Sequence, residues 1–359
     1  MMEALISYSV YNSIILSPLL LLLTQNHRLS RLTPLIYSFC LIWIIAFTSI
    51  RFHVGSDFVN YSRIFNEIGS EEFERMEFGF RWLVYFLNQL NLDTQFLFLS
   101  VACIIYISLF KTFKKTHSIV LLVVWLLLFF LPSLNLLRQH MALAVITLGL
   151  VHFDNKKKYL LLVILATSFH YTGLFGLVYL LIARVRIKML WLLVFISPIF
   201  MFVDLPKLIL SLGILGDSYY AFYLEDDAIY AGEQTLSIGG LFRLLLPFVF
   251  VFVYRNDQRI FINLIKNSLA IYIALYFLSI NFYVLYRIYT MFLVFVPFAA
   301  YYIFKEAKFL NRAFTVFYII GLFLLFQKSI LEQTINPANG NSIYPYQTIF
   351  DDRIIYIGR

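Results

Sequence analysis

Four arginines lie within apolar runs of the sequence or at their ends, where a charged side chain is costly. They are Arg51, Arg138, Arg243 and Arg287. An unpaired charge in such surroundings costs several kcal/mol, so residues of this kind are usually paired or functional. A planar guanidinium group can bind a phosphate through two parallel hydrogen bonds. The set therefore predicts a pocket for a phosphate-bearing ligand. The alternative is that each arginine extends to polar surroundings or pairs with a carboxylate such as Asp57 or Glu77.

One histidine, His170, lies at the centre of a long apolar stretch, residues 159–182. Desolvation disfavours the imidazolium cation, so a buried histidine is usually neutral and can take a proton from a hydroxyl group. His170 is therefore the candidate general base. Asp57 is the second candidate, with His53 close to it in sequence. The alternative is that His170 packs on an apolar helix face without a chemical role.

Motifs of several large enzyme classes are missing from the sequence. It contains no Walker phosphate-binding loop, no dinucleotide-binding glycine motif, no HExxH and no GxSxG. An Asp-x-Asp pair, which holds the divalent ion in nucleotide-sugar transfer, is also missing. We interpret the contiguous carboxylates at 225–227 and 351–352 as solvated loops, and Cys40 and Cys103 as ordinary membrane-helix residues. The sequence thus predicts no metal site and no cofactor.

The composition indicates an integral membrane protein. Of its 359 residues, 61% are hydrophobic and only 13% are charged, whereas a soluble domain has about 25% charged residues. The apolar residues come in blocks close to the length of about 20 that spans the hydrocarbon core. They lack the alternation of a β-barrel, so helices are the spanning form, and the first run lacks the features of a cleavable signal peptide. The prediction is an all-α polytopic bundle.

The basic residues predict how the chain crosses the bilayer. The net charge is +8, but lysines and arginines cluster in short loops between apolar runs, which argues against nucleic acid as a partner. The clusters are Arg28 and Arg31; Lys111, Lys114 and Lys115; Lys156, Lys157 and Lys158; Arg184, Arg186 and Lys188; Arg255 and Arg259; Lys305, Lys308 and Arg312. Placing all of these loops in the cytoplasm follows the positive-inside rule and gives about twelve crossings with both termini outside.

These crossings are predicted to form a single integral membrane domain, residues 1–359. They are expected at 3–24, 34–51, 94–110, 119–133, 137–153, 159–169, 171–183, 188–203, 239–254, 262–282, 284–304 and 313–327. The long outer segments are 52–93, 204–238 and the tail 328–359, so the outer face is expected to carry the function. Residues 77–92 have an aromatic face and are predicted to form a helix in the outer interface.

The stretch 159–182 is too short for the two crossings that its flanking charges require. Basic clusters on both sides place both of its ends in the cytoplasm. Its residues would form a helix of only about 36 Å, which is one membrane thickness. Two half-length helices that meet at Phe169-His170-Tyr171 reconcile charge with length, and the break between them must line a buried or wet cavity. The alternative is one full crossing that departs from the charge rule.

Five short motifs follow one another in order along the chain. The first is Arg51-Phe52-His53-Val54-Gly55-Ser56-Asp57 followed by Tyr61, of the form R…GxDxxxY. The others are Glu77-Phe78-Gly79-Phe80, of the form E-x-G-[YF]; Leu137-Arg138-Gln139-His140-Met141-Ala142, of the form LRQxxA; Ser168-Phe169-His170-Tyr171, an FH at a short hairpin; and Tyr286-Arg287-Ile288-Tyr289, a late R-x-Y. Each motif is short, but together they cover about residues 50 to 290. In this order they resemble the motifs of the EpsG-type polysaccharide polymerases, relatives of the Wzy polymerases.

The resemblance implies a metal-free, GT-C-like membrane glycosyltransferase that joins oligosaccharide repeat units carried on undecaprenyl pyrophosphate. It implies the outer face of the bacterial cytoplasmic membrane as the location, O-antigen, capsule or exopolysaccharide as the product, and a chain-length regulator and a flippase as partners. His170 and Asp57 are then the catalytic candidates. The candidate substrate-binding residues are Arg51, Tyr61, Glu77, Arg138, Gln139, Arg243, Arg287 and Tyr289.

Three other functions fit parts of the pattern. A lipid-linked oligosaccharide flippase or another transporter fits the helix number and the arginines. It would place polar residues near the membrane midplane on several helices of a two-fold repeat, whereas here they cluster towards one side. An O-antigen ligase would perform the same chemistry. A non-catalytic partner of a synthase complex would tolerate the loss of His170.

The predicted topology can be tested by cysteine labelling. Cysteines introduced at Ser118 and Asn155 should be shielded from a membrane-impermeant reagent added outside, whereas cysteines at Ser70 and Ser342 should react, because the basic loops are placed in the cytoplasm. The reversed labelling pattern would invalidate the assignment of the arginines and His170 to the outer face.

Overall fold

The computed structural model describes residues 2–25, 29–186, 189–203, 236–282, 285–306, 309–335 and 343–351. The chain forms two compact units. Unit 1 consists of Met1–Gly176 and Ile319–Arg359, and unit 2 of Leu177–Tyr318. Of the predicted outer segment 204–238, only the last three residues belong to the described part of the chain. The single-domain organisation stays a prediction.

The described residues fold into α-helices joined by turns and 3-10 segments. The helices are α1 (Met2–Leu16), α2 (Thr33–Ser49), α3 (Phe58–Asn66), α4 (Glu71–Glu74), α5 (Phe78–Gln89), α6 (Thr94–Thr116), α7 (Ile119–Ser133), α8 (Leu137–Leu150), α9 (Lys156–Phe169), α10 (Phe175–Ile182), α11 (Leu190–Ile196), α12 (Ile238–Val253), α13 (Ile260–Leu278), α14 (Leu285–Leu293), α15 (Phe295–Glu306) and α16 (Phe309–Ile335). The 3-10 segments are Ser17–Gln25, Ser30–Leu32, Tyr171–Leu174 and Ser197–Phe202.

Six helical stretches of the described chain are long and apolar enough to cross a membrane. They are Met2–Thr24, Ser30–Ser49, Thr94–Thr116, Ile260–Leu278, Leu285–Lys305 and Leu310–Ile335. Shorter apolar helices are Ile119–Ser133, Leu137–Leu150, Tyr171–Ile182, Leu190–Phe202 and Ile238–Val253. In a bilayer a helix satisfies its own backbone hydrogen bonds, which explains why apolar blocks of this kind become helices. The predicted all-α polytopic class is confirmed.

The predicted break at His170 is present, and the chain reverses there. His170 has an extended backbone (φ −159°, ψ 136°) between α9 and the turn Tyr171–Leu174. The Tyr159 hydroxyl, near the start of α9, donates to the carbonyl oxygen of Gly176 at 2.7 Å. Gly173 packs on the backbone of α9, where a Cβ atom would lie 2.4 Å from the nitrogen of Thr167. The segment Tyr171–Gly176 therefore packs back on α9, nearly in backbone contact at Gly173.

Two predicted spans agree with the structure in position but differ in detail. The crossing predicted at 284–304 matches the apolar stretch Leu285–Lys305, which is interrupted between α14 and α15 because Pro297 lacks an N–H group and its ring crowds the carbonyl group of Leu293. The tail predicted to begin at residue 328 is helical up to Ile335. The helix continues because Ile330 is fully buried and Lys328 pairs with Glu332 one turn further on, at 3.3 Å.

A short extended segment near the C-terminus supports the loop that follows α2. The backbone N–H of Phe52 donates to Gln347 at 2.9 Å, and Arg51 forms an antiparallel bridge with Thr348. The Tyr346 hydroxyl donates to the carbonyl oxygen of Phe47 in the last turn of α2. This segment therefore fixes the backbone at the beginning of the first sequence motif.

Helix α5 has the amphipathic character predicted for residues 77–92. Phe78, Trp82 and Phe86 are each more than half exposed, whereas Phe80 and Val84 are fully buried. Exposed aromatic rings on one face of a helix are typical of a helix in the headgroup region. The buried face packs within unit 1, so α5 is anchored on one side and presents its aromatic residues on the other.

The close packing of the hairpin predicts different effects for two glycine substitutions. Gly173→Ala should destabilise the protein by about 1–3 kcal/mol, because the new methyl group overlaps the backbone of α9. Gly149→Ala in α8 is the control, because its Cβ atom would lie 3.5 Å from the Tyr159 ring, an ordinary contact. Thermal unfolding in detergent measures both. Equal melting temperatures for the two variants would contradict the close approach at Gly173.

Candidate functional site

A buried ion pair joins the beginnings of α5 and α8. Glu77 immediately precedes α5, and only 4% of its side chain is exposed. Arg138, in the first turn of α8, donates from Nη1 to Oε2 of Glu77. A carboxylate without a partner at this degree of burial would be strongly destabilising. The pair therefore fixes α5 to α8 as well as holding two charges in place.

The turn that contains His170 contacts the other oxygen of the Glu77 carboxylate. The backbone N–H of Tyr171 donates to Oε1 at 3.2 Å, and Nε2 of His170 lies 4.0 Å from the same oxygen. The opposite ring nitrogen, Nδ1, accepts from the backbone N–H of Thr172 at 3.2 Å and lies 2.8 Å from the Thr172 hydroxyl. The break after α9 thus presents both a backbone N–H and an imidazole ring to one carboxylate.

Helix α5 comes this close to the end of α9 because Gly79 has no side chain. A Cβ atom at Gly79 would lie 2.4 Å from Oγ of Ser168 and 2.8 Å from its Cβ. Glu77 precedes this contact by two residues, and His170 follows Ser168 by two. The glycine of the E-x-G-F motif therefore allows the carboxylate and the imidazole to approach each other.

Tyr61, on α3, completes the surroundings of Arg138. Its hydroxyl accepts a hydrogen bond from the Arg138 guanidinium group, and its ring packs edge-on against Phe80 at a centroid distance of 5.7 Å. Phe80 also lies 5.9 Å from the guanidinium carbon of Arg138. Burial raises the pKa of Tyr61, so its hydroxyl stays protonated. Arg138 is thus held by a carboxylate, a hydroxyl and an aromatic ring.

Asp57 lies next to this cluster, immediately before α3. It interacts electrostatically with Arg51 and Tyr61, and its Oδ1 lies 3.4 Å from the Ser56 hydroxyl. The structure therefore brings Asp57 close to Tyr61, which in turn contacts Arg138. We refer to Asp57, Tyr61, Glu77, Arg138 and His170 as the Glu77 cluster.

Arg51 has a different environment from Arg138. Only 1% of it is exposed, and Nη1 donates to the carbonyl oxygens of Val54 and Leu134, the latter at 2.7 Å. Its guanidinium carbon lies 5.0 Å from the Phe98 ring. These contacts tie the loop after α2 to the end of α7, and its direct binding of phosphate stays a prediction.

The two residues that follow Arg138 are also buried. Gln139 is 2% exposed and His140 is fully buried. Nδ1 of His140 lies 2.9 Å from the carbonyl oxygen of Leu136, and the ring interacts electrostatically with His170. His140 was not among the residues predicted to form the site, and its place in the LRQHMA motif was the only signal for it.

Unit 2 contains a separate group of candidate residues. Arg243, on α12, interacts electrostatically with Tyr272, Tyr276 and Tyr289. The Tyr289 ring lies 5.7 Å from that of Tyr272 and 6.0 Å from that of Tyr276. The Tyr318 hydroxyl donates to the carbonyl oxygen of Arg243 at 2.9 Å. The structure thus brings the predicted Arg243 and Tyr289 together and adds tyrosines that no short motif indicated.

Arg287 differs again from the other three arginines. It lies on α14 two residues before Tyr289, and its side chain is exposed. Residues two apart on a helix do not share a face, so Arg287 points away from the face that carries Tyr289. The four arginines that the sequence analysis grouped together therefore have four different environments.

A comparison with protein-family models assigns the chain to a family. The EpsG family profile matches residues 7–348. The chain belongs to the EpsG family. Neither the comparison with curated proteins nor the comparison with solved structures finds a match. Membership of the EpsG family supports a role as a polysaccharide polymerase.

Four of the five motifs of this EpsG-family protein meet in unit 1. The GxDxxxY segment contributes Asp57 and Tyr61, the E-x-G-F segment Glu77, the LRQ segment Arg138, and the FH segment His170. The R-x-Y motif lies in unit 2. These motifs lie far apart in sequence, and the fold of unit 1 brings them together.

The contacts of Arg51 in this EpsG-family protein predict a structural effect. Arg51→Met should lower the free energy of unfolding by about 1–3 kcal/mol or more, because two buried carbonyl groups lose their charged donor. Arg63→Met is the control, because Arg63 forms an exposed ion pair with Glu72 at 2.7 Å, and exposed pairs contribute about 1 kcal/mol or less. Denaturant unfolding would compare the two. An Arg51→Met variant as stable as the control variant would contradict the structural role.

Proposed function

We propose that this EpsG-family protein is a membrane glycosyltransferase that polymerises undecaprenyl-pyrophosphate-linked oligosaccharide repeat units into a surface polysaccharide. Family membership supports the polymerase role. The observation that carries the proposal is the Glu77 cluster, in which a carboxylate, a guanidinium group and an imidazole lie side by side. These are the groups needed to transfer a sugar from a pyrophosphate donor to a hydroxyl acceptor.

The arginines serve the donor in this proposal. Negative charge develops on the lipid pyrophosphate as its bond to the anomeric carbon breaks. Fixed positive charge nearby stabilises that transition state, and we assign this role to Arg138. Arg243 and Arg287, which belong to unit 2, stay predicted substrate-binding residues. Since the donor is not a nucleotide sugar, the reaction requires no metal held by an Asp-x-Asp pair.

Other candidate residues of unit 1 serve the acceptor. His170 is placed at a helix break, where backbone and side-chain polar groups can meet a sugar. Tyr61 and Gln139 offer a hydroxyl and an amide group for sugar binding, and Tyr289 of unit 2 stays a predicted substrate-binding residue. Asp57 is the further candidate for proton transfer, and Arg51 acts by holding the loop that carries Asp57.

We propose about twelve crossings, in which the short apolar helices and the hairpin add to the six long spans. With the basic loops in the cytoplasm, the Glu77 cluster faces the outer side of the cytoplasmic membrane. A chain-length regulator and a flippase are the expected protein partners there, because the repeat units must be delivered and the polymer length set.

Arg138→Lys tests the proposal directly. An ammonium group cannot reproduce the planar contacts of Arg138 with Glu77 and Tyr61 or bind a phosphate through two parallel bonds. The variant should insert in the membrane yet lose most of its polymer. Polymer length in cells, followed on gels, measures the effect.

The matched control for this test is Arg81→Lys, because Arg81 pairs with Glu74 on a more exposed surface of the same unit. It should keep the wild-type polymer. Wild-type polymer from Arg138→Lys as well would show that Arg138 serves no purpose beyond its positive charge.

A further inference from the structure

The hydrogen bonds around His170 determine which ring nitrogen carries the proton. A backbone N–H can only donate, and that of Thr172 donates to Nδ1 of His170 at 3.2 Å. Nδ1 therefore presents its lone pair to Thr172, so the neutral ring carries its proton on Nε2. Because Thr172 belongs to the 3-10 turn that follows His170, this arrangement is built into the helix break. Nε2, the nitrogen on the Glu77 side, is thus a donor.

The distance between His170 and Glu77 fits a hydroxyl group. Nε2 and Oε1 lie 4.0 Å apart, too far for a direct hydrogen bond. A hydroxyl oxygen about 2.9 Å from the nitrogen and about 2.7 Å from the carboxylate oxygen would subtend an angle of about 90°. It would accept from Nε2–H and donate to Oε1. The His170 side chain is 18% exposed.

The Glu77 carboxylate is oriented for such a contact. Arg138 binds Oε2, and the Tyr171 N–H binds Oε1 at 3.2 Å. Because a carboxylate oxygen can accept two hydrogen bonds, Oε1 can accept a second one on the side of His170. These two donors come from α8 and from the turn after His170, and together they hold the carboxylate in one orientation.

We infer that Glu77 takes the proton of the acceptor sugar hydroxyl, and that His170 orients this hydroxyl by donating a hydrogen bond from Nε2. The inference rests on the proposed glycosyltransferase function and changes the assignment of the base. It replaces His170, which the sequence alone favoured for that role. Asp57 interacts electrostatically with Tyr61 and is not required for this step.

The step is balanced as a single transfer. The O–H bond of the acceptor breaks, and its proton goes to Oε1 of Glu77. The hydroxyl oxygen forms a bond to the anomeric carbon of the donor, while the bond from that carbon to the pyrophosphate oxygen breaks and the lipid pyrophosphate leaves with the electron pair. Glu77 then releases its proton to solvent. A carboxylate is a weak base, but it suffices when the hydroxyl becomes acidic as the new bond forms.

Two substitutions distinguish the proton acceptor, Glu77, from the orienting hydrogen-bond donor, His170. Glu77→Gln removes the proton acceptor and should lower kcat by about 10²- to 10⁴-fold, with little change in the acceptor KM. His170→Gln keeps an N–H donor near the position of Nε2 but cannot take the proton, so it should retain activity within about tenfold of wild type. The control is Glu74→Gln, an exposed carboxylate paired with Arg81, which should behave as wild type.

The measurement uses the full-length protein in liposomes. The substrate is the undecaprenyl-pyrophosphate-linked oligosaccharide extracted from cells that lack this protein, and chain elongation is followed on gels. Thermal unfolding of each variant checks that it is folded. Failure of the wild-type protein to elongate this substrate would overturn the proposed function and the role of Glu77 with it.

If the wild-type protein elongates the lipid-linked oligosaccharide, the variants test only whether Glu77 is the base. A folded Glu77→Gln variant with wild-type kcat would overturn its role, and so would a His170→Gln variant that loses as much kcat as Glu77→Gln. If Glu77→Gln does not fold, because Arg138 loses its counter-charge, His170→Gln decides. Retained elongation then supports Glu77 as the base, and a loss of more than about 10²-fold assigns the base to His170.

Discussion

A carboxylate buried in an apolar protein must be compensated locally, and unit 1 is organised around that requirement at Glu77. The compensation comes from α8 through Arg138 and from the helix break through the Tyr171 N–H. Neither group is near Glu77 in sequence. The approach of the helix break depends on Gly79, which lets α5 reach the end of α9, and on Gly173, which lets the turn pack back on α9. Loss of the compensation would leave a charge in a low-dielectric environment at a cost larger than most single packing defects.

Much of the fold could be predicted from the sequence, because membrane helices follow composition and charge. The break at His170 followed from two simple quantities, the length of an apolar stretch and the charges on either side of it. The ends of α14 and α16 were harder to predict from the sequence, since they depend on Pro297 and on the burial of Ile330. The residue types of the site were also visible in short motifs. Their mutual distances were not, because no periodicity links Glu77 to His170 across more than ninety residues of intervening chain.

The arginines also show that a sequence pattern does not predict the surroundings of a side chain. A single criterion, a cation at the end of an apolar run, selected Arg51, Arg138, Arg243 and Arg287 together. Burial separates them: Arg51 is enclosed by backbone carbonyl groups, whereas Arg138 keeps 22% of its side chain exposed beside Glu77. An arginine whose donors are used by the backbone stabilises a loop, and one that remains partly open can meet a ligand. Sequence position alone contains no information on that difference.

The pairing of Glu77 with Arg138 also connects the two halves of the proposed reaction. Before transfer, the charges of the Glu77 carboxylate and the Arg138 guanidinium group neutralise each other. The pair therefore exerts only a weak electrostatic field on the rest of the site. When the acceptor proton moves to Glu77, that compensation ends and the positive charge of Arg138 is no longer balanced locally. The change occurs as negative charge accumulates on the leaving pyrophosphate, when a nearby cation stabilises the transition state most. In a low-dielectric site such a change is worth much more than it would be in water. A weak base paired with a strong cation therefore suits this chemistry better than an isolated strong base would, since proton acceptance itself strengthens the field that the departing group requires.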